Sequence, residues 1–185
     1  MHAGSNVAAI LIFAPPPRFC LVESDGIIFE NEHALLQRFV APVGEWDSEV
    51  VGSHVVPLSA DSSGETETAF IYMTLKGDEL LTPNKPPELQ HYPNLPLELV
   101  FENDRLFVQR ARVEPGVFEG VHGHPGNQIF VHIKGGTWSA IEDGKPTGPV
   151  IVREAGESGW MGEVDTHEYG NVGDTTIDLV WITLK

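Results

Sequence analysis

Basic residues are scarce. The 185-residue chain carries 11 Lys and Arg against 27 Asp and Glu, a formal charge of −16. Nucleic acid and anionic membrane surfaces both select for a basic footprint, so this balance argues against either as a partner. It favours neutral or cationic ones. Cysteine is nearly missing as well. Cys20 alone can form no internal disulfide, so the fold does not depend on an oxidising compartment. Its setting, Phe19-Cys20-Leu21-Val22, reads as a small buried hydrophobe. No apolar run approaches the length of about 20 residues that spans a membrane. The apolar start of "VAAILIFAPPP" (7–17) ends at three prolines, and no Lys or Arg precedes it as a secretory signal would require; it reads as a strand. These absences point to a cytoplasmic chain with no membrane or nucleic-acid role.

Helical periodicity is scarce too. What the chain has instead is short β-rich runs between Gly, Pro, Asn and Asp clusters, the pattern of a sandwich or barrel. Strands are expected at 106–113, 128–134, 137–142, 149–154, near Trp160, and at 175–184. Asp143-Gly144 signals a hairpin, and Pro115-Gly116, Pro125-Gly126 and Gly173-Asp174 mark further turns.

The first half contains an echo of the second. "FENEHALLQRFVAPVGEW" starts at Phe29 and "FENDRLFVQRARVEPGVF" at Phe101, 72 positions on, aligning Phe-Glu-Asn, Gln-Arg and Gly. Farther along, "IYMTLKGD" (71–78) resembles "IFVHIKGG" (129–136) at an offset of 58, with a polar insertion at 57–68 absorbing the difference. The repeat suggests duplication of one structural unit. Residues 1–98 are thus expected to form an N-terminal β-rich extension, with the proline-rich segment 81–98 as a linker, and residues 99–185 a complete domain.

The chemistry concentrates in "GVHGHPGNQIFVHIKGG" (120–136). Residues two apart on a strand share a face, so His122 and His124 present two imidazoles to one side. Gln128 has the same parity just past the Pro125-Gly126 turn, where a returning strand would bring it alongside. His167 is close enough in sequence for a neighbouring strand to deliver it. Three imidazoles and an amide oxygen suit a divalent transition metal with positions left open. Phe130 and His132 share the parity of Gln128, and with Trp160 they are the candidates for a substrate pocket. Phe118, Trp138 and Tyr169 read as core packing, Arg110 and Arg112 as a salt-bridged exterior, and Asn171 as the tie of the turn after His167.

These residues resemble the two motifs of the cupin superfamily. The first motif, G-x5-H-x-H-x3-E-x6-G, is met in every spacing by Gly116, His122, His124, Gln128 and Gly135, with Gln128 in place of the glutamate. The second, G-x5-P-x-G-x2-H-x3-N, is met by Gly156, His167 and Asn171, with Gly162 for the proline and Val164 for the glycine. The resemblance covers about residues 101–185. It implies an all-β fold: a cupin double-stranded β-helix, or jelly-roll barrel, here preceded by a degenerate, truncated β repeat. It further implies a metal inside the barrel (Fe, Zn, Ni, Mn or Cu), held by His122, His124 and His167, with Gln128 either in the fourth position or hydrogen-bonding a metal-bound water or the substrate beside a three-histidine centre. The activity expected is that of a dioxygenase-like enzyme, or an isomerase or lyase, acting on a small organic molecule. The alternative is a non-catalytic cupin that binds a small ligand. Unclosed N-terminal strands would leave sheet edges to cover, so a homodimer with those strands at its interface is expected.

Overall fold

Strands form where β-branched and aromatic residues run between turn signals, and they make up almost all the regular structure. Residues 7–13, 24–42, 54–57, 67–77 and 79–185 are described by this computed structural model. Cys20 and most of the polar insertion lie outside the described residues. A 3-10 turn at Pro87–Leu89 is the one helical element among those described. The chain divides into two units, Met1–Glu79 and Leu80–Lys185.

Among the described residues the first unit is a five-stranded sheet. Its strands are β1 (Val7–Phe13), β2 (Ser24–Glu30), β3 (Ala34–Pro42), β4 (His54–Pro57) and β5 (Glu67–Leu75), ordered β2-β3-β5-β1-β4. Ala34, Leu36, Ile71 and Met73 alternate along β3 and β5 and are fully buried.

The second unit has eight strands: β6 (Glu98–Glu102), β7 (Leu106–Val113), β8 (His122–Lys134), β9 (Gly136–Glu142), β10 (Lys145–Arg153), β11 (Ser158–His167), β12 (Tyr169–Asn171) and β13 (Ile177–Leu184). They form a sheet ordered β11-β8-β13-β7-β6 and a second ordered β10-β9-β12. Ala111, Val113, Leu179 and Trp181 of the larger sheet pack with Trp138 of the smaller one, and burying each large side chain contributes roughly 1.5–3 kcal/mol. This is a jelly roll. Asp143 and Gly144 both take positive φ, as a two-residue hairpin turn between β9 and β10 requires. Arg110 makes a bidentate pair with Asp178, at 2.8 and 2.6 Å, on which Arg112 also converges at 3.3 Å. Asn171 donates to Val113 O and Thr175 O and accepts from Gly173 N–H, so it ties three backbone segments together.

Two expectations need correction. The segment 81–98 is not a spacer between units. It falls within the second unit, whose span starts at Leu80, and it supplies Gln90, Tyr92 and Leu95 to the interior at 2%, 4% and 8% exposure. Its prolines stop regular structure without keeping it out of the core. Second, Pro125-Gly126 does not reverse the chain. β8 runs through it, with positive φ at Gly126 and Asn127 absorbed as a kink and a register shift against β11 between Met161 and Glu163.

The echo between the halves is structural. β2 pairs with β3 through Ile27↔Gln37 and then Phe29↔Leu36; β6 pairs with β7 through Leu99↔Gln109 and then Phe101↔Val108, with the register shift at the same place. Asn31 Oδ1 accepts from the N–H groups of His33 and Ala34, and Asn103 Oδ1 accepts from those of Arg105 and Leu106. The third strand corresponds as well, but not to the segment its sequence first suggests. β5 pairs with β3 as β13 pairs with β7: Gln37↔Tyr72 matches Gln109↔Trp181, and Ala34↔Leu75 matches Leu106↔Leu184. Lys76 and Lys185 then close the pattern. Their N–H groups donate to His33 O and Arg105 O, and their ammonium groups reach Glu30 and Glu102. "IYMTLK" (71–76) is therefore the counterpart of "VWITLK" (180–185), not of 129–134.

Candidate metal centre

The pairing of β8 with β11 assembles the site. His122 stands directly opposite His167, and His124 opposite Val164. Cross-strand partners sit about 5 Å apart at Cβ, and His124 follows His122 on the same face. Gly123 lets the strands approach: a Cβ there would lie 2.5 Å from Asp165 O and 2.8 Å from Val164 O. The result is that His167 Nε2 lies 3.0 Å from His122 Nε2 and 2.9 Å from His124 Nε2. Two ligands about 2.1 Å from one ion and at right angles would be about 3 Å apart.

The outer nitrogens are engaged in the protein. His122 Nδ1 lies 2.9 Å from Gly120 O, and His124 Nδ1 lies 2.8 Å from Gln128 Oε1. Both acceptors lack a proton to give, so each ring carries its hydrogen on Nδ1 and turns the lone pair of Nε2 inward. Burial lowers His122 to about 4 and His124 to about 3, and lowers His167 too. Three neutral imidazoles at neutral pH are competent ligands. His122, His124 and His167 form a cluster that could hold a divalent metal.

Gln128 is placed differently from the expected fourth ligand. Its oxygen faces His124 Nδ1, and its Nε2 donates to Thr183 Oγ1 at 2.9 Å and to Gln90 Oε1. The amide is fully buried and committed at both ends. Its oxygen meets the Nδ1 side of His124, while His124 Nε2 faces the cluster.

A cavity of about 310 Å³ opens beside His124 and His167. Phe130 and His132 are among the residues that line it. Trp160 does not; Met161 lines it in its place. Met161 pairs with inward-facing Gln128, whereas Trp160 pairs with Ile129 and has the opposite parity. Among the lining residues that the sequence did not single out are Glu119, Tyr92 and Trp181. Glu119 places Oε2 3.9 Å from His122 Nε2, and burial holds its carboxyl up at about 8. Tyr92 hydrogen-bonds Glu119, and its hydroxyl accepts from Trp181 Nε1 at 2.7 Å; burial pushes the phenol well above its usual range. The Trp181 ring lies 4.6 Å from the His124 ring, tilted by 53° to it. Glu119 falls in the unpatterned gap between Gly116 and His122, where positive φ at Gly116 and Gly120 breaks strand parity. The parity of β13 alone could have singled out Trp181.

Residues 80–185 thus form a two-sheet β jelly roll with a histidine triad delivered by β8 and β11. No family model and no curated protein matches the chain. Similar solved structures include a cupin domain from Bordetella pertussis Tohama I, at 24% identity over 50% of this chain and 95% of that one, with a TM-score of 0.43. A Cupin 2 conserved barrel domain protein from Salinispora arenicola CNS-205 has 18% identity over 57% and 88%, with a TM-score of 0.37. A cupin-like protein from Thermotoga maritima MSB8 has 18% identity over 57% and 80%, with a TM-score of 0.38. No described helix of the chain is long and apolar enough to cross a membrane.

Proposed function

We propose that the cupin unit binds one divalent transition metal through His122, His124 and His167 and acts on a small organic molecule in the adjoining cavity, as a dioxygenase-like enzyme. The observation that carries this reading is the inward convergence of three Nε2 atoms while the Nδ1 positions of His122 and His124 are tied off. A metal so held would supply Lewis acidity or, for iron, copper, manganese or nickel, a route to dioxygen chemistry. The chain's own residues would position the substrate and exclude water. Trp181 and Phe130 form an apolar wall, and Glu119, backed by Tyr92, sets a buried carboxyl beside the His122 imidazole.

Anaerobic loading of metal-free protein with Fe(II), Zn(II) or Co(II), followed by metal analysis and thermal melting, tests the reading. It expects one ion per chain, a raised Tm, and loss of both in His124→Ala. Retention of small-molecule binding with no metal uptake would favour the non-catalytic ligand-binding cupin. A homodimer belongs to the same proposal. The first unit's sheet ends on β2 and β4, whose outer edges could pair with a second copy. Sedimentation at micromolar concentration should give twice the 20.3 kDa chain mass.

A further inference from the structure

The cavity has a second polar end. From His124 a file of rings leads along it: Trp181 at 4.6 Å, then Phe130 at 5.9 Å, then His132 at 5.8 Å. His132 is 3% exposed, and its Nδ1 is buried with no hydrogen-bond partner among the described residues. A buried imidazole nitrogen left unpaired costs roughly 1–3 kcal/mol, and a native protein rarely keeps one without a reason. Arg153 lines the cavity at this same end, its guanidinium 5.6 Å above the Phe130 ring.

Arg153 is held by one arm. NH1 donates to Glu157 Oε1, and Glu157 Oε2 accepts from Glu154 N–H, so the turn before β11 fixes the carboxylate. A guanidinium carries five N–H donors in a rigid fork, and one carboxylate oxygen does not exhaust them. Burial, helped by Arg153 and opposed by Glu157, lowers His132 to about 4, so its ring is neutral at pH 7. This end therefore offers a cation and a neutral imidazole, beyond aromatic walls, remote from the three-histidine cluster.

We propose, resting on the reading of the cavity as a substrate site, that its ligand is a small carboxylic acid with an apolar body. The carboxylate pairs with the N–H groups of Arg153 that Glu157 leaves over, with His132 lining the same end, the body lies against Phe130 and Trp181, and the opposite end faces His124 and His167. A single negative charge fits better than a phosphate dianion, because Glu157 already meets part of the Arg153 charge and each further negative charge at this end is less well compensated. The net charge of −16 opposes anions at long range, but at physiological salt it is screened beyond about 8 Å, whereas Arg153 acts at contact.

The test compares phenylacetate with phenylacetamide, a neutral near-isostere, by quenching of tryptophan fluorescence in the full chain, since Trp138 and Trp181 line the cavity. Phenylacetate should bind at least tenfold more tightly than the amide. Arg153→Gln should shrink that preference to under twofold, Arg153→Lys should restore part of it, and His132→Phe should weaken the acid more than the amide. Equal binding of acid and amide, binding of neither, or an undiminished preference in a folded Arg153→Gln protein would overturn the proposal. Should Arg153→Gln fail to fold, the acid-to-amide comparison in the unaltered chain and the Arg153→Lys variant still decide it. Zinc titration of the same samples reads the parent proposal separately. Acid preference without zinc uptake sinks the metal reading and leaves this one standing; zinc uptake without acid preference does the reverse.

Discussion

Asn31 and Asn103 close the same turn, 72 residues apart, in two units that share three strands and differ in the rest. Each unit has a hairpin with a register shift at the same place and a later strand ending in Thr-Leu, and the lysine after that strand returns to the glutamate before the asparagine. The difference begins at the next strand. In the second unit β13 is flanked by β8, antiparallel, and β8 by β11. In the first, β5 is flanked by β1, which runs parallel to it and carries no histidine. The shared strands set a sheet; the histidines come from the strands that are not shared. Fold and site are thus separable within one chain, and each can be perturbed without the other.

The strongest way to break this comparison is at Gly123. Gly123→Val would push β11 off β8, and it should cost about 2–4 kcal/mol in denaturant unfolding and abolish zinc uptake. A folded variant with zinc binding intact would mean that close approach of these strands does not make the site. His124→Ala leaves the sheet alone. It should melt within a few degrees of the parent without metal, yet lose the stabilisation of about 2.7 kcal/mol expected of zinc at a hundredfold over its Kd. Gln128 sharpens the point further, since it acts through His124. Gln128→Leu should weaken zinc about 10- to 100-fold with ligand count unchanged. Gln128→Glu, by strengthening the acceptor for the Nδ1 proton, should tighten it; calorimetric titration reads both.

Acid should act through the second unit's buried groups in metal-free protein. His122, His124 and His132 are depressed when folded, so between about pH 4 and 6.5 the unfolded chain binds their protons and the folded one does not. Glu119, raised to about 8, works the other way from 4.5 to 8. The three histidines, with His167 depressed in the same direction, outweigh Glu119, so stability rises with pH up to about 6.5. Above that, Glu119 alone makes it fall gently toward 8. Denaturant midpoints across pH 4.5–8 should trace that shallow maximum. The smallest effect tests the equivalence itself. Asn31→Ala and Asn103→Ala each remove two acceptor contacts and should cost about 1 kcal/mol apiece. A cost several times larger in one unit would show that the turns are alike in geometry only.

Much of this was legible in the sequence, for reasons that differ by element. Strand alternation placed His122, His124, Phe130 and His132 on one face of β8 because period two survives wherever the backbone stays extended. The spacing of two motifs brought in His167, which periodicity alone could not pair with anything. Legibility failed where φ turns positive. Gly126 and Asn127 read as a reversal but make a kink within β8. It failed again in the proline-rich segment. Proline removes periodicity but not hydrophobicity, so Tyr92 and Gln90, both at the site, looked like linker. It failed at Trp160 by a single residue of parity. The strand match of 71–78 went to the wrong partner because like-composed β sequences are alike everywhere, and backbone register is what tells them apart.

X-ray absorption on zinc-loaded protein tests the central claim most directly. The account predicts one zinc per chain with three imidazole nitrogens at about 2.0–2.1 Å, falling to two in His167→Ala. A first shell of oxygens alone, or a shell unchanged by that substitution, would contradict it.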